Sequence, residues 1–190
     1  MIPTADLEAT HRRATPLPPA ERRAAIVDAA RPLLREHGLS VTTRQIAMAA
    51  GVSEGTIFNV FADKDELISA VVERAIDPAP FEASIAAIDP DADFTARVIA
   101  ATTLIQRRTV DVWELISQVG PRHHPQHGPM PVSPALTELL GTPPGRLRFP
   151  PDEAARMLRA LTLSFTHPKM VAAPHSPEAI VDIFLNGVGS

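Results

Sequence analysis

The sequence predicts an all-α fold, and three observations carry that prediction. Apolar residues recur at spacings of three and four through most of the 190 residues. No run alternates apolar and polar residues as a half-buried strand would. The periodic runs open on residues that cap helices and close on glycine or proline.

Residues 1–19 are polar and end in Pro16-Leu17-Pro18-Pro19, which describes an arm without regular structure leading stiffly into a helix. From Glu21 a helix is predicted on Ile26, Ala29, Ala30, Leu33, Leu34 and His37, stopped by Gly38 and kinked at Pro32. Thr42-Thr43-Arg44-Gln45 fits a capping box, and Ser53 caps a short helix running to Val60. Asp63-Lys64-Asp65-Glu66 reads as a second capping box. It opens a helix with Leu67, Ile68, Val71, Val72, Ala75 and Ile76 on one stripe, closed by Pro78. Phe94, Val98, Ala101 and Ile105 predict one further helix, and Val112 to Val119, around the single Trp113, predict another. The prolines and glycines of residues 120–134 predict a loop, a short helix from Pro134 to Leu140 follows, and Gly141 to Pro151 is a second break. Two closing helices are predicted over residues 152–167 and 177–188, the second opened by the cap Ser176 and Pro177.

Hydrophobic residues make up 45% of the chain and charged residues 21%, with a formal net charge of −4. That is an ordinary globular composition, so any affinity for a polyanion rests on local charge and motif. The absence of cysteine excludes disulfides, thiolate metal sites and cysteine nucleophiles. The opening residues lack the uninterrupted apolar core of a signal peptide, and no apolar run reaches membrane-spanning length, so a cytoplasmic protein is expected.

The stretch with most chemical content runs from Gln45 to Phe61. A helix-turn-helix needs a small residue where two helices cross, a glycine able to turn left-handed, and a buried aliphatic residue on the second helix. Ala47, Gly51 and Ile57 stand at that spacing, with Ile46, Ala50, Val52 and Phe61 as inner faces. Glu54, Gly55, Thr56 and Asn59 are left for the outside of the second helix.

Here the sequence closely resembles the tetracycline-repressor family of regulators. The similarity runs over residues 21–76, through Ile26-Val27-Asp28-Ala29-Ala30, Glu36-His37-Gly38, Thr42 to Ala47, Ala50 to Phe58 and Phe61 to Leu67. It implies an N-terminal DNA-binding head, residues 20–66, and a helical effector-binding and dimerisation domain, residues 67–190. It further implies a sequence-specific regulator, a repressor in the usual behaviour of the family, that binds a palindromic operator as a homodimer and is released by a small-molecule effector. The DNA-binding residues implied are Thr42, Thr43, Arg44, Ser53, Gly55, Thr56, Phe58, Asn59 and Lys64. Thr42 would hold a phosphate, Arg44 would reach a base edge or phosphate, Thr56 and Asn59 would face the major groove, and Lys64 would bind the backbone. The family often carries tyrosine where Phe58 stands and histidine or tyrosine where Val60 stands. Arg12, Arg13, Arg22 and Arg23 offer a compensating basic cluster for the adjacent minor groove, or are solvated surface charges.

By the same resemblance the two closing helices form a four-helix bundle with a second copy, through Leu158, Leu161, Phe165, Ile180, Phe184 and Val188. Ala160 and Ser164 permit close approach. Phe94, Val98, Leu104, Trp113, Ile116, Met157 and Phe165 are candidates for the wall of an effector cavity, or for plain core. Few charges fall on the central helices, which points to an apolar or amphipathic effector. A rival from another class is a metal-binding or hydrolytic helical protein built on His123, His124 and His127, with His167 or His175, although these also read as exposed loop histidines. No nucleophile elbow, phosphate-cradling glycine loop or carboxylate pair is found, so no catalytic residue, cofactor or metal is expected.

Overall fold

The computed structural model describes residues 18–123 and 131–187. Among these residues the fold is all-helical, as the periodicity predicts. α1 spans Pro19–His37 with a proline in its first turn, where the missing amide costs nothing, and runs on past Pro32. Ile26, Val27, Ala30 and Leu34 form its buried face. α2, Thr43–Ala50, and α3, Glu54–Val60, follow a 3-10 turn at Gly38–Ser40. The capping box of α2 is complete: Thr42 Oγ1 accepts the Gln45 amide at 3.2 Å, and the Gln45 side-chain oxygen accepts the Thr42 amide at 2.8 Å. Between α2 and α3 Gly51 adopts φ 65° and ψ 30°, the left-handed turn that the motif requires.

α4, Lys64–Ile76, starts on Asp63, whose carboxylate accepts the Glu66 amide at 2.8 Å. The returning half of the predicted second capping box is different. Glu66 accepts the amide of Ala62, at 2.7 Å, and not that of Asp63. The carboxylate is drawn there by Arg23 of α1, which donates to Glu66 at 3.1 Å and to the Val60 carbonyl at 3.3 Å while its guanidinium lies 4.3 Å from the Phe61 ring centroid.

The body comprises α5, Ala79–Ala86; α6, Phe94–Val119; α7, Pro134–Gly141; α8, Pro151–Ser164; and α9, Pro177–Asn186. The two helices predicted between residues 94 and 119 are one helix of 26 residues, about 39 Å long. No glycine or proline interrupts Gln106 to Asp111, so nothing ends the helix where its apolar stripe thins. α8 stops at Ser164 and α9 at Asn186, short of the predicted 167 and 188, and Val188 lies outside the described residues.

Two apolar cores result. The first joins α1 to α4 and takes in Leu115 and Val119 at the end of α6, so the packing of the head extends past residue 66 into the body. The second joins α5 to α9 around Phe94, Val98, Ala101, Ile105 and Leu158. Gly38 marks the contact of the head with the end of α6. Its φ of 56° suits glycine alone, and an added Cβ would lie 3.0 Å from the Gln118 carbonyl of α6. Arg35 of α1 adds ion pairs to Asp111, at 3.3 Å, and to Glu114. No helix among the described residues is long and apolar enough to cross a membrane.

Candidate DNA interface and effector cavity

Residues 20–66 carry six arginines and lysines against seven aspartates and glutamates. The head has no general basic field, and recognition depends on what α2 and α3 present. Arg44 is exposed and has no hydrogen bond or ion pair among the described residues, so its guanidinium is free to pair bidentately with a base edge or a phosphate. Asn59, Gly55 and Phe58 are exposed on α3, with Phe58 52% accessible. An exposed ring at this point can meet a thymine methyl or a sugar, but lacks the hydroxyl that a tyrosine would give a phosphate. Met48 of α2 is a second exposed apolar side chain of the head, 75% accessible. The sequence pattern missed it, because a methionine on a short helix reads equally well as core.

The remaining predicted DNA residues are already engaged within the head. Thr42 is spent on the capping box. The Thr43 hydroxyl donates to Glu54, linking the starts of α2 and α3. Ser53 Oγ accepts the Thr56 amide at 3.2 Å and lies 2.8 Å from the Thr56 hydroxyl. Lys64 Nζ donates to the Leu39 carbonyl at 2.6 Å, so the ammonium is held at the start of α4 with its remaining protons available. Arg23 lies over Phe61 and pairs with Glu66 at the surface of the head. Arg12 and Arg13 lie outside the described residues.

Glu66 carries a consequence for pH. The Ala62 amide first, and then Arg23, hold its carboxyl below the usual carboxylate range. A lowered pKa in the folded state gives stability that is present above the unfolded-state value and is lost as pH falls through the folded-state value. Arg23→Ala is expected to move Glu66 only part of the way back, because the Ala62 amide remains. Side-chain carboxyl NMR titration of the two proteins checks this, and an unmoved Glu66 would remove Arg23 from the account.

In the body, a cavity of 380 Å³ opens between α4, α5, α6 and α8. Ile76, Phe81, Ile105, Val112, Trp113, Ile116 and Leu163 supply its apolar wall, and Arg108, Thr109, Arg159 and His167 its polar groups. Of the predicted wall residues, Trp113 and Ile116 line it. Phe94 and Val98 are buried in the body core, Leu104 lies on a smaller cleft toward α4, and Met157 is exposed beside α9. Phe165 packs edge-on against His175, 4.5 Å between ring centres. The His167 ring sits 4.3 Å from Trp113. Burial holds the Arg108 and Arg159 guanidiniums below their ordinary pKa, with Asp77 opposing the effect at Arg108 and Glu82 at both. These arginines were missed because arginines within a helix normally signal its solvent face. For one of them the signal was present: Arg108 stands three residues after Ile105 and four before Val112, on the apolar stripe of α6.

His123 is not an exposed loop residue. It is 8% accessible and packed on α4, with Nδ1 3.2 Å from Ser69 Oγ and Nε2 3.6 Å from Asp65. His124 and His127 lie outside the described residues, and among those described no three ligating side chains gather as a metal site would require. On the predicted dimer face, Leu158 and Ile180 are fully buried within the chain itself, while Leu161, Phe165 and Phe184 are half-buried. The face of α8 that the chain leaves open is Met157, Ala160, Leu161 and Ser164, one helical stripe.

The family model for "Bacterial regulatory proteins, tetR family" matches residues 26–71. The HTH-type transcriptional repressor Rv3405c of Mycobacterium tuberculosis is 34% identical over 127 residues, covering 60% of this chain and 68% of that protein. Among solved structures, a TetR/AcrR-family regulator of Thermobifida fusca superposes with TM-score 0.59 at 21% identity, covering 90% of this chain and 100% of the other. LfrR of Mycobacterium smegmatis, in complex with proflavine, gives 0.56 at 21%, covering 89% and 98%. The structural likeness reaches across head and body, and the family-model match falls where α1 to α4 build the helix-turn-helix. The chain belongs to the tetR family of bacterial regulatory proteins and is a DNA-binding transcriptional regulator.

Proposed function

We propose that the chain is a cytoplasmic repressor, without a reaction of its own, that binds an inverted-repeat operator as a homodimer and leaves it when a small molecule enters the body cavity. Arg44, Thr56, Phe58 and Asn59 read base edges in this account, and Thr42, Thr43, Ser53, Gly55 and Lys64 order the helix starts and the phosphate contacts. The second copy packs on the α8 stripe Met157, Ala160, Leu161 and Ser164, on Phe165 at the end of α8 and on the outer side of α9 at Phe184, the two rings being half-buried; small residues let the helices approach closely.

One observation carries the proposal. α4 begins at Lys64, directly after the second helix of the helix-turn-helix, and its last residue, Ile76, stands in the cavity wall. A molecule in the cavity therefore touches the helix that bears the head, and can favour a different head separation only through such differential contact. That LfrR was solved in complex with proflavine supports a small-molecule effector for this fold.

Selection of bound duplexes from a random pool tests the proposal. Enrichment of an inverted repeat with half-site centres about 34–36 Å apart is expected. Enrichment of a single half-site would remove the dimeric operator from the account.

A further inference from the structure

Arg108 and Arg159 put two guanidiniums into a largely apolar cavity whose other polar groups are Thr109 and His167, and neither arginine has an ion-pair partner among the described residues. Arg108 spends its terminal nitrogens on main-chain carbonyls, Nη1 on Asp77 at 3.0 Å and Nη2 on Ile76 at 2.6 Å. Arg159 donates to the Pro131 carbonyl. Glu82, the acid that acts on both, already accepts the Ala135 amide at 3.0 Å. Burial works against both charges, and the charge of Arg108 adds to the cost at Arg159. Two half-buried guanidiniums with no ion-pair partner among the described residues, beside a cavity of 380 Å³, favour an anion over a cation. That volume falls within the ~300–1,000 Å³ usual for small-molecule sites.

We propose that the effector is an amphipathic anion, a carboxylate or similar planar oxyanion on an apolar body, whose head group draws the Arg108 guanidinium off the Ile76 and Asp77 carbonyls. The inference rests on the preceding proposal that a molecule in this cavity controls the head. The carbonyls that Arg108 holds close the C-terminal end of α4, where a helix leaves its last acceptors without partners and favours a nearby cation. An end-on carboxylate pair uses the same two nitrogens, so the anion competes with the helix end for one fork. Trp113, Ile105, Ile116 and Leu163 receive the apolar body. Arg108 is thus both the ligand's receptor and the latch on the end of α4.

The test uses matched acid, amide and amine series on two apolar bodies: decanoate, decanamide and decylamine, and 1-naphthylacetate with its amide and the corresponding amine. Binding is read from the single tryptophan, which lines the cavity. The acids are expected to bind at least about tenfold tighter than the amides, as charge-assisted bonds allow. Arg108→Gln and Arg159→Gln are each expected to reduce that preference while leaving amide binding in place. Arg159→Gln leaves the α4 latch intact and serves if Arg108→Gln does not fold. Bound acid is also expected to speed hydrogen exchange at the amides of residues 74–77. Amides or amines binding as well as the acids, or no acid binding below about 1 mM, would overturn the proposed ligand class. Amides that bind and release the selected duplex would leave effector control standing and sink only the anion. Acids that bind through both arginines without changing exchange in α4 or DNA affinity would sink the latch.

Discussion

Leu161→Asp is expected to yield a folded monomer that has lost most of its operator affinity, while Leu158→Asp is expected to yield no folded body at all. The two residues are three apart on one helix, and burial separates their fates. Leu158 is fully enclosed by its own chain in the body core. Removing a core leucine costs about 2–5 kcal/mol even without adding a charge, and an unpaired buried carboxylate adds to that. The sum approaches the whole stability of a domain, ~5–15 kcal/mol. Leu161 is half-buried on the open stripe, so a carboxylate there stays hydrated in the monomer and is desolvated only between two copies. Losing the partner removes the second half-site and with it an avidity of roughly 10²–10⁴. Mass in solution and the thermal transition of both variants check this. A Leu161→Asp protein that remains dimeric would send the interface elsewhere.

Arg44→Ala is expected to relax base preference at one position per half-site by about 1–3 kcal/mol. Lys64→Ala is expected to weaken all duplexes alike and to lower the salt slope by about one phosphate contact. The difference follows from what each side chain has available. Arg44 is exposed and has its whole fork free, while Lys64 is anchored on the Leu39 carbonyl and offers a point charge only. Since Lys64→Ala also releases that carbonyl, its unfolding transition is measured beside its DNA affinity. Equal losses on selected and shuffled DNA for both variants would refute this division of labour.

The head was legible in the sequence because its determinants are local. Thr42, Ser53 and Asp63 cap helices within three residues of themselves, and Gly51 turns the chain where only a left-handed residue fits. Where a side chain answers to a distant segment, local signals fail. Glu66 looked like the closing member of a capping box, yet Arg23, forty-three positions away, fixes its place. Leu158 and Leu161 share one apolar pattern, and only the packing of α5 to α9 decides which faces inward. The length of α6 was available from the absence of any breaker between residues 94 and 119, but its stripe changes partners midway, from the body core to the head core, so the periodicity looked like two helices. The arginines of the cavity are the clearest case, since an arginine reads as surface until the elements around it are assembled.

The most direct test is a fluorescence-anisotropy titration at physiological salt, comparing the selected duplex with a shuffled duplex of equal composition. The account predicts a preference of at least about a thousandfold for the first, reduced in Arg44→Ala. Equal affinity for the two duplexes would contradict it, leaving a helix-turn-helix that holds DNA without reading it.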